Sequence, residues 1–169
     1  SQVRVLVGPP INIKLLEDYS SKSFFIKFKI MSKIKKELLD SYSSANYHVY
    51  ASSPFIMNIG KFSNELSKLM KDLNFLSASF ITAFNPYSQK LDIQENRSRN
   101  KVLELKIQAM QFQYIKGDGR CINSKEVGEE SFLVFGISKK EATLLGEESE
   151  QNAIVFCEGE AIPDLLLLK

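Results

Sequence analysis

Two rhythms of apolar positions run along this chain. Helical spacing places Ile34, Leu38, Leu39 and Tyr42 on one face of residues 33–45. The same spacing places Phe62, Leu66, Leu69, Met70 and Leu73 on one face of residues 61–73. Between them, Tyr47–Ala51 and Phe55–Ile59 flank Ser52-Ser53-Pro54, which predicts a hairpin. An apolar strand over 77–84 ends in the polar corner Asn85-Pro86-Tyr87-Ser88-Gln89. Asp92 and Glu95 have capping-box spacing and open a predicted helix over 93–112. A short strand is expected at 113–117, then a glycine-bearing loop over 116–130. Phe132–Ile137 is β-prone and almost wholly apolar, as in a central strand. Ser138 and Glu141 start another helix to about 148, weakened by Gly146. Strands at Ala153–Phe156 and Ile162–Leu168 close the pattern.

From residue 77 this order is strand, helix, strand, strand, helix, strand, the split βαβ arrangement. The expected fold is therefore α+β: a ferredoxin-like antiparallel sheet with helices mainly on one face. A helix–hairpin–helix addition precedes it. Right-handed crossovers would bring three polar segments to one edge of that sheet. They are the 85–89 corner, the 117–130 loop and residues 150–152. A helix N-terminus follows the corner, and its backbone N–H groups and dipole favour an anion. The candidate ligand-binding residues are Asn85, Ser88, Arg99, Glu130, Gln151 and Asn152, with Arg97 near enough to add charge. Each also has a structural explanation, since asparagine in a turn mimics backbone and buried amides satisfy loops.

Composition removes several classes of function. The 169 residues are 44% hydrophobic and 25% charged, as in a globular domain. A net charge of +2 gives no reason to expect nucleic acid. The lysines at 27–36 read as a solvated face. No apolar run is long enough to span a bilayer. One histidine, His48, cannot build a histidine-based zinc site or anchor a convincing triad. Cys121 and Cys157 form no Cys-x-x-Cys pair, which suits a reducing, cytoplasmic setting. Residues 1–30 differ in texture from "MSKIKKELLDSY", which begins at Met31. They are expected to be an extension to a single domain over 31–169, with strands at Val3–Val7 and Phe24–Ile30 as the alternative.

No phosphate-binding loop or nucleophile elbow is present, and "GDGR" is too short for a dinucleotide fingerprint. Asp118, Glu126, Glu129, Glu130 and Glu150 supply carboxylates near the expected edge. They read mainly as a solvated acidic loop, with general-base or Mg²⁺ roles as the alternative. A small anionic ligand is the expected partner, and no cofactor is indicated. The alternatives are an enzyme acting on a phosphate-bearing or nucleotide-like substrate, and a protein-interaction domain with a protein partner.

Five pieces, in order, carry a family resemblance: "FITAFNPYSQ", "ENRSRN", "GDG", "EESFLVFGISKKEATLLG" and "QNAIV". Over about Leu38–Leu168 the chain resembles the uncharacterised bacterial family of domain of unknown function 3293 (DUF3293). The family often has Trp where Phe84 stands and Gly where Glu150 stands, and this chain has no Trp. The resemblance implies a small bacterial protein and carries no activity or catalytic residue.

Overall fold

The computed structural model describes residues 34–122 and 128–168. The expected extension at 1–30, Lys27, Lys29, Lys33 and Glu126 lie outside the described residues. Lys35 and Lys36 are exposed, as a solvated face requires.

The described chain runs α1 (Lys36–Ser44), β1 (Asn46–Val49), β2 (Phe55–Met57), α2 (Asn64–Asp72), β3 (Ser77–Ile81), a 3₁₀ turn (Pro86–Ser88), α3 (Ile93–Ala109), β4 (Tyr114–Arg120), β5 (Glu129–Phe135), α4 (Lys139–Glu148), β6 (Ala153–Glu158) and β7 (Asp164–Leu167). The seven described strands form one sheet in the order β2-β1-β4-β5-β3-β6-β7. Every neighbouring pair is antiparallel. The α+β class expected from the sequence is therefore present.

Local chemistry sets the helix starts. The Ser63 hydroxyl accepts from the Leu66 N–H and caps α2. Asp92 accepts from the N–H groups of Gln94 and Glu95 and caps α3. Ser138 and Glu141 form a reciprocal capping box on α4. Gly146 inside α4 has a packing reason. A Cβ there would lie 2.6 Å from Leu168 and 2.9 Å from Ile154, so its absence lets α4 sit close on the sheet.

The sheet is buried on both faces. Alternation sends Phe132 and Val134 to one side and Leu133 and Phe135 to the other. Leu103 and Ile107 of α3, with Ala142 and Leu145 of α4, cover the first side. Leu66 and Met70 of α2 cover the second, against Val49, Phe80 and Val155. This departs from the expectation of helices mainly on one face. The helix over 64–72 carries its own apolar stripe and takes the face that α3 and α4 leave open.

The 116–130 loop is also revised. β4 continues through Gly117-Asp118-Gly119-Arg120, and β5 begins at Glu129. Gly117 is needed there because a Cβ would stand 2.1 Å from the His48 carbonyl oxygen of paired β1. "GDGR" is thus a strand made flat for a close neighbour, and Asp118, Glu129 and Glu130 are strand residues.

Candidate functional site

The described residues of the three polar segments lie together beyond the C-terminal end of β3. β3 stops at Ile81, and the chain then passes beside the start of β5 and the entrance to β6. Asn85 adopts left-handed backbone (φ 47°), as do Tyr87 (φ 50°), Ser88 (φ 62°) and Glu150 (φ 58°). Such angles are unfavourable for residues with a Cβ, so surrounding contacts must hold them. The Tyr87 N–H donates to the Glu150 carbonyl at 2.7 Å, tying two of the strained residues together.

Most polar groups at this convergence are spent on one another. Asn85 donates to Glu129 at 2.6 Å and accepts from the Leu91 N–H and from Asn96. Buried Gln151 donates to the Phe84 carbonyl at 2.9 Å. Arg99 donates to the Ala83 and Ser149 carbonyls and pairs with Glu150 at 2.8 Å. Asn152 donates to Ser88, whose hydroxyl lies 2.6 Å from the Tyr42 hydroxyl. Glu130 pairs with Arg97 at 2.8 Å. The six candidates therefore sit along one edge, but they divide among different surroundings. The anion expected at the α3 N-terminus meets a competitor there, because the Asp92 carboxylate already accepts those N–H groups.

Two buried amides absent from the candidate set are central to this frame. Asn100 accepts from the Ala83 N–H and donates to the Glu130 carbonyl, both at 2.9 Å. Asn96 accepts from the Asn85 N–H at 2.7 Å. With Glu104 they form an i, i+4, i+8 row on α3, all 7% exposed or less. That spacing is visible in the sequence. Its partners are backbone groups of other elements, which periodicity does not reveal.

A cleft of about 550 Å³ lies between α3 and the β4–β5 surface. Cross-strand partners point to the same side of a sheet. Asp118 is paired with His48 on one side and Glu130 on the other, and Lys116 with Phe132. Phe132 packs with Leu103 and Ile107, so all of these face α3. Arg97 and Lys101, one turn apart on α3, reach the same cleft.

Its electrostatics follow from two nearly buried carboxylates. Glu104 takes Lys101 at 2.8 Å on one oxygen and Lys116 at 3.0 Å on the other. The Tyr114 hydroxyl donates to it at 3.0 Å. The Lys101 hydrogen bond, helped by Lys116 and Tyr114, outweighs burial and lowers the Glu104 pKa to about 2. Asp118 is gripped by Arg120 at 2.7 Å through both oxygens and accepts from Tyr50. Burial opposes its ionisation, but these partners keep its carboxyl below the usual range. The same bond to Asp118 raises the Tyr50 phenol pKa, so Tyr50 keeps its proton.

A second hollow, of about 340 Å³, lies on the opposite face and is lined by Asn85, Ser88, Tyr42 and Arg120. Exposed Cys121 touches Ser41 there at 3.2 Å, while burial pushes the Cys157 thiol up to about 11. Arg99 lines a smaller hollow of about 160 Å³ between α3 and α4. No group of three or more histidine, cysteine, aspartate or glutamate side chains suited to a metal occurs among the described residues. Among them, no helix is long and apolar enough to cross a membrane.

Comparison with curated proteins and with solved structures found no match. Residues 81–154 match the family described as Protein of unknown function (DUF3293). That span runs from the end of β3 into β6 and includes α3, β4 and β5, the elements around the larger cleft. The chain thus resembles the DUF3293 family in the segment that builds its polar edge.

Proposed function

We propose that the protein binds a small anionic ligand at this edge, in the cleft between α3 and the β4–β5 surface. One observation carries the reading. Two lysines from different elements are held on a single buried carboxylate, so that end of the cleft carries one more positive than negative charge, although Arg97, Lys101 and Lys116 balance Glu104, Asp118 and Glu130 over the whole lining. Each ammonium has three donors and meets Glu104 through one of them, so both have donors for a ligand. Arg97 and Glu130 form an exposed pair at the rim that a ligand can reorganise. Asn85, Arg99, Gln151 and Asn152 brace the edge, and Ser88 faces the second hollow. The family resemblance is the basis for a bacterial origin, and the β3–α3–β4–β5–α4–β6 unit fits a ferredoxin-like domain. Its strand order β4-β5-β3-β6 supports that assignment. The α1–β1–β2–α2 segment is then the helix–hairpin–helix addition, joined through β1 to β4.

The test is thermal unfolding with inorganic phosphate, sulfate and simple carboxylates. Ligand at about a hundred times its dissociation constant stabilises by roughly 2.7 kcal/mol. A shift that Lys116→Gln abolishes and Ser88→Ala preserves is the expected outcome. The reverse pattern would move the site to the second hollow, and no shift with any anion would remove the reading. A second reading, an enzyme acting on a phosphate-bearing substrate, draws on the Tyr50–Asp118 contact within the same cleft. It requires turnover that Tyr50→Phe removes while anion binding persists.

A further inference from the structure

The cleft has a direction in its hydrogen-bonding polarity. At one end stand Lys101 and Lys116, which only donate. At the other stand Tyr50, Asp118 and Glu130. The Tyr50 proton is committed to Asp118, and its oxygen accepts from Arg120 at 3.2 Å. Asp118 and Glu130 are carboxylates on paired strand positions. Glu130 meets Arg97 through its Oε1, and a carboxylate accepts through both oxygens. Lys116 and Asp118 are two residues apart on β4, which separates the two ends by roughly 7 Å. Phe132, opposite Lys116 across the strands, and the Asn100 amide also line the cleft and are already packed or bonded.

We infer that the ligand is a short phosphate monoester carrying an amino or hydroxyl group at its far end. This deepens the anion-binding reading and rests on it. Ammonium groups act as point charges and suit a phosphate dianion, which can engage both lysines from separate oxygens. Arg97 is close enough along α3 to add a third cation when it leaves Glu130. The released Glu130 carboxylate then faces the amino end beside the Tyr50 oxygen. A ligand with an anion alone fills half of this arrangement. One with anions at both ends meets repulsion from Glu130 once Arg97 has left it, Asp118 being already neutralised by Arg120.

Calorimetric titration of the full chain with 3-aminopropyl phosphate, n-propyl phosphate, inorganic phosphate and succinate tests this at low ionic strength. The amino phosphate is expected to bind about tenfold more tightly than propyl phosphate, a difference of about 1.4 kcal/mol. Glu130→Gln should erase that ratio, while propyl phosphate, which then meets an Arg97 freed from its partner, binds at least as tightly. Lys116→Gln should weaken both esters equally. Tyr50→Phe, at a half-exposed ring, gives a second reading of the far end and should narrow the same ratio. Equal binding of the two esters would overturn the donor-bearing far end. Succinate bound more tightly than either ester would overturn the phosphate assignment. Either result would leave anion binding itself standing, and silence from all four probes would end both.

Discussion

Glu104 shows how one residue sets the character of the site. A carboxylate with a 9% exposed side chain would be costly alone, and two lysines and a tyrosine hold it ionised. Its folded pKa of about 2 lies below the ordinary value of 4.5, so its charge stabilises the fold above the ordinary value. That contribution is lost as pH falls from about 4.5 through about 2. Acid titration followed by circular dichroism should therefore show a weaker loss of stability in Glu104→Gln than in the parent protein over that window. Identical acid profiles would mean that the lysines do not hold Glu104 as described. Asn100 works differently. Its bonds to backbone of β3's extension and of β5 fix where α3 rests, and hence the width of the cleft.

At the level of elements, the cleft exists because α3 packs on β5 while β4 and β1 carry the sheet further. Their attachment depends on the close approach at Gly117. In Gly117→Ala the new methyl would displace the His48 carbonyl and the Phe80 ring, with a cost of about 2 kcal/mol or more. Hydrogen exchange should then quicken in β1 and β2, while β3 and β6 keep their protection. Uniform acceleration throughout the sheet would mean that β1 and β2 do not open as a separate unit. The helix pattern, the caps at Asp92 and Ser138 and most strand positions could be read from the chain. The 116–130 segment could not. Its glycines look like turn residues when local sequence is considered alone, yet Gly117 serves a neighbouring strand that lies some seventy residues earlier.

For the molecule as a whole, β3 and β5 contribute side chains to both hydrophobic clusters. Shared central strands couple the α2 side to the α3–α4 side. Thermal unfolding should accordingly be one transition, coincident by far-ultraviolet circular dichroism and by tyrosine fluorescence, which no Trp obscures. Two separated midpoints would show that the faces unfold independently. The polar edge belongs to this scale as well. It is assembled from residues 82–89, 96–104, 116–130 and 149–152, whose described members meet because the antiparallel order brings strand ends together.

By itself, the sequence determined the element types, because hydrophobic period and capping are local properties. It also determined that the 85–89 corner, Glu130 and residues 150–152 share an edge, because element order and crossover handedness leave few arrangements. Only the tertiary structure decided what those residues do there. A side chain's partners are chosen by distance in space, so Asn85 and Gln151 emerged as braces. The cations with donors facing the cleft proved to be Lys101 and Lys116, drawn from a helix and a strand whose meeting no spacing along the chain records.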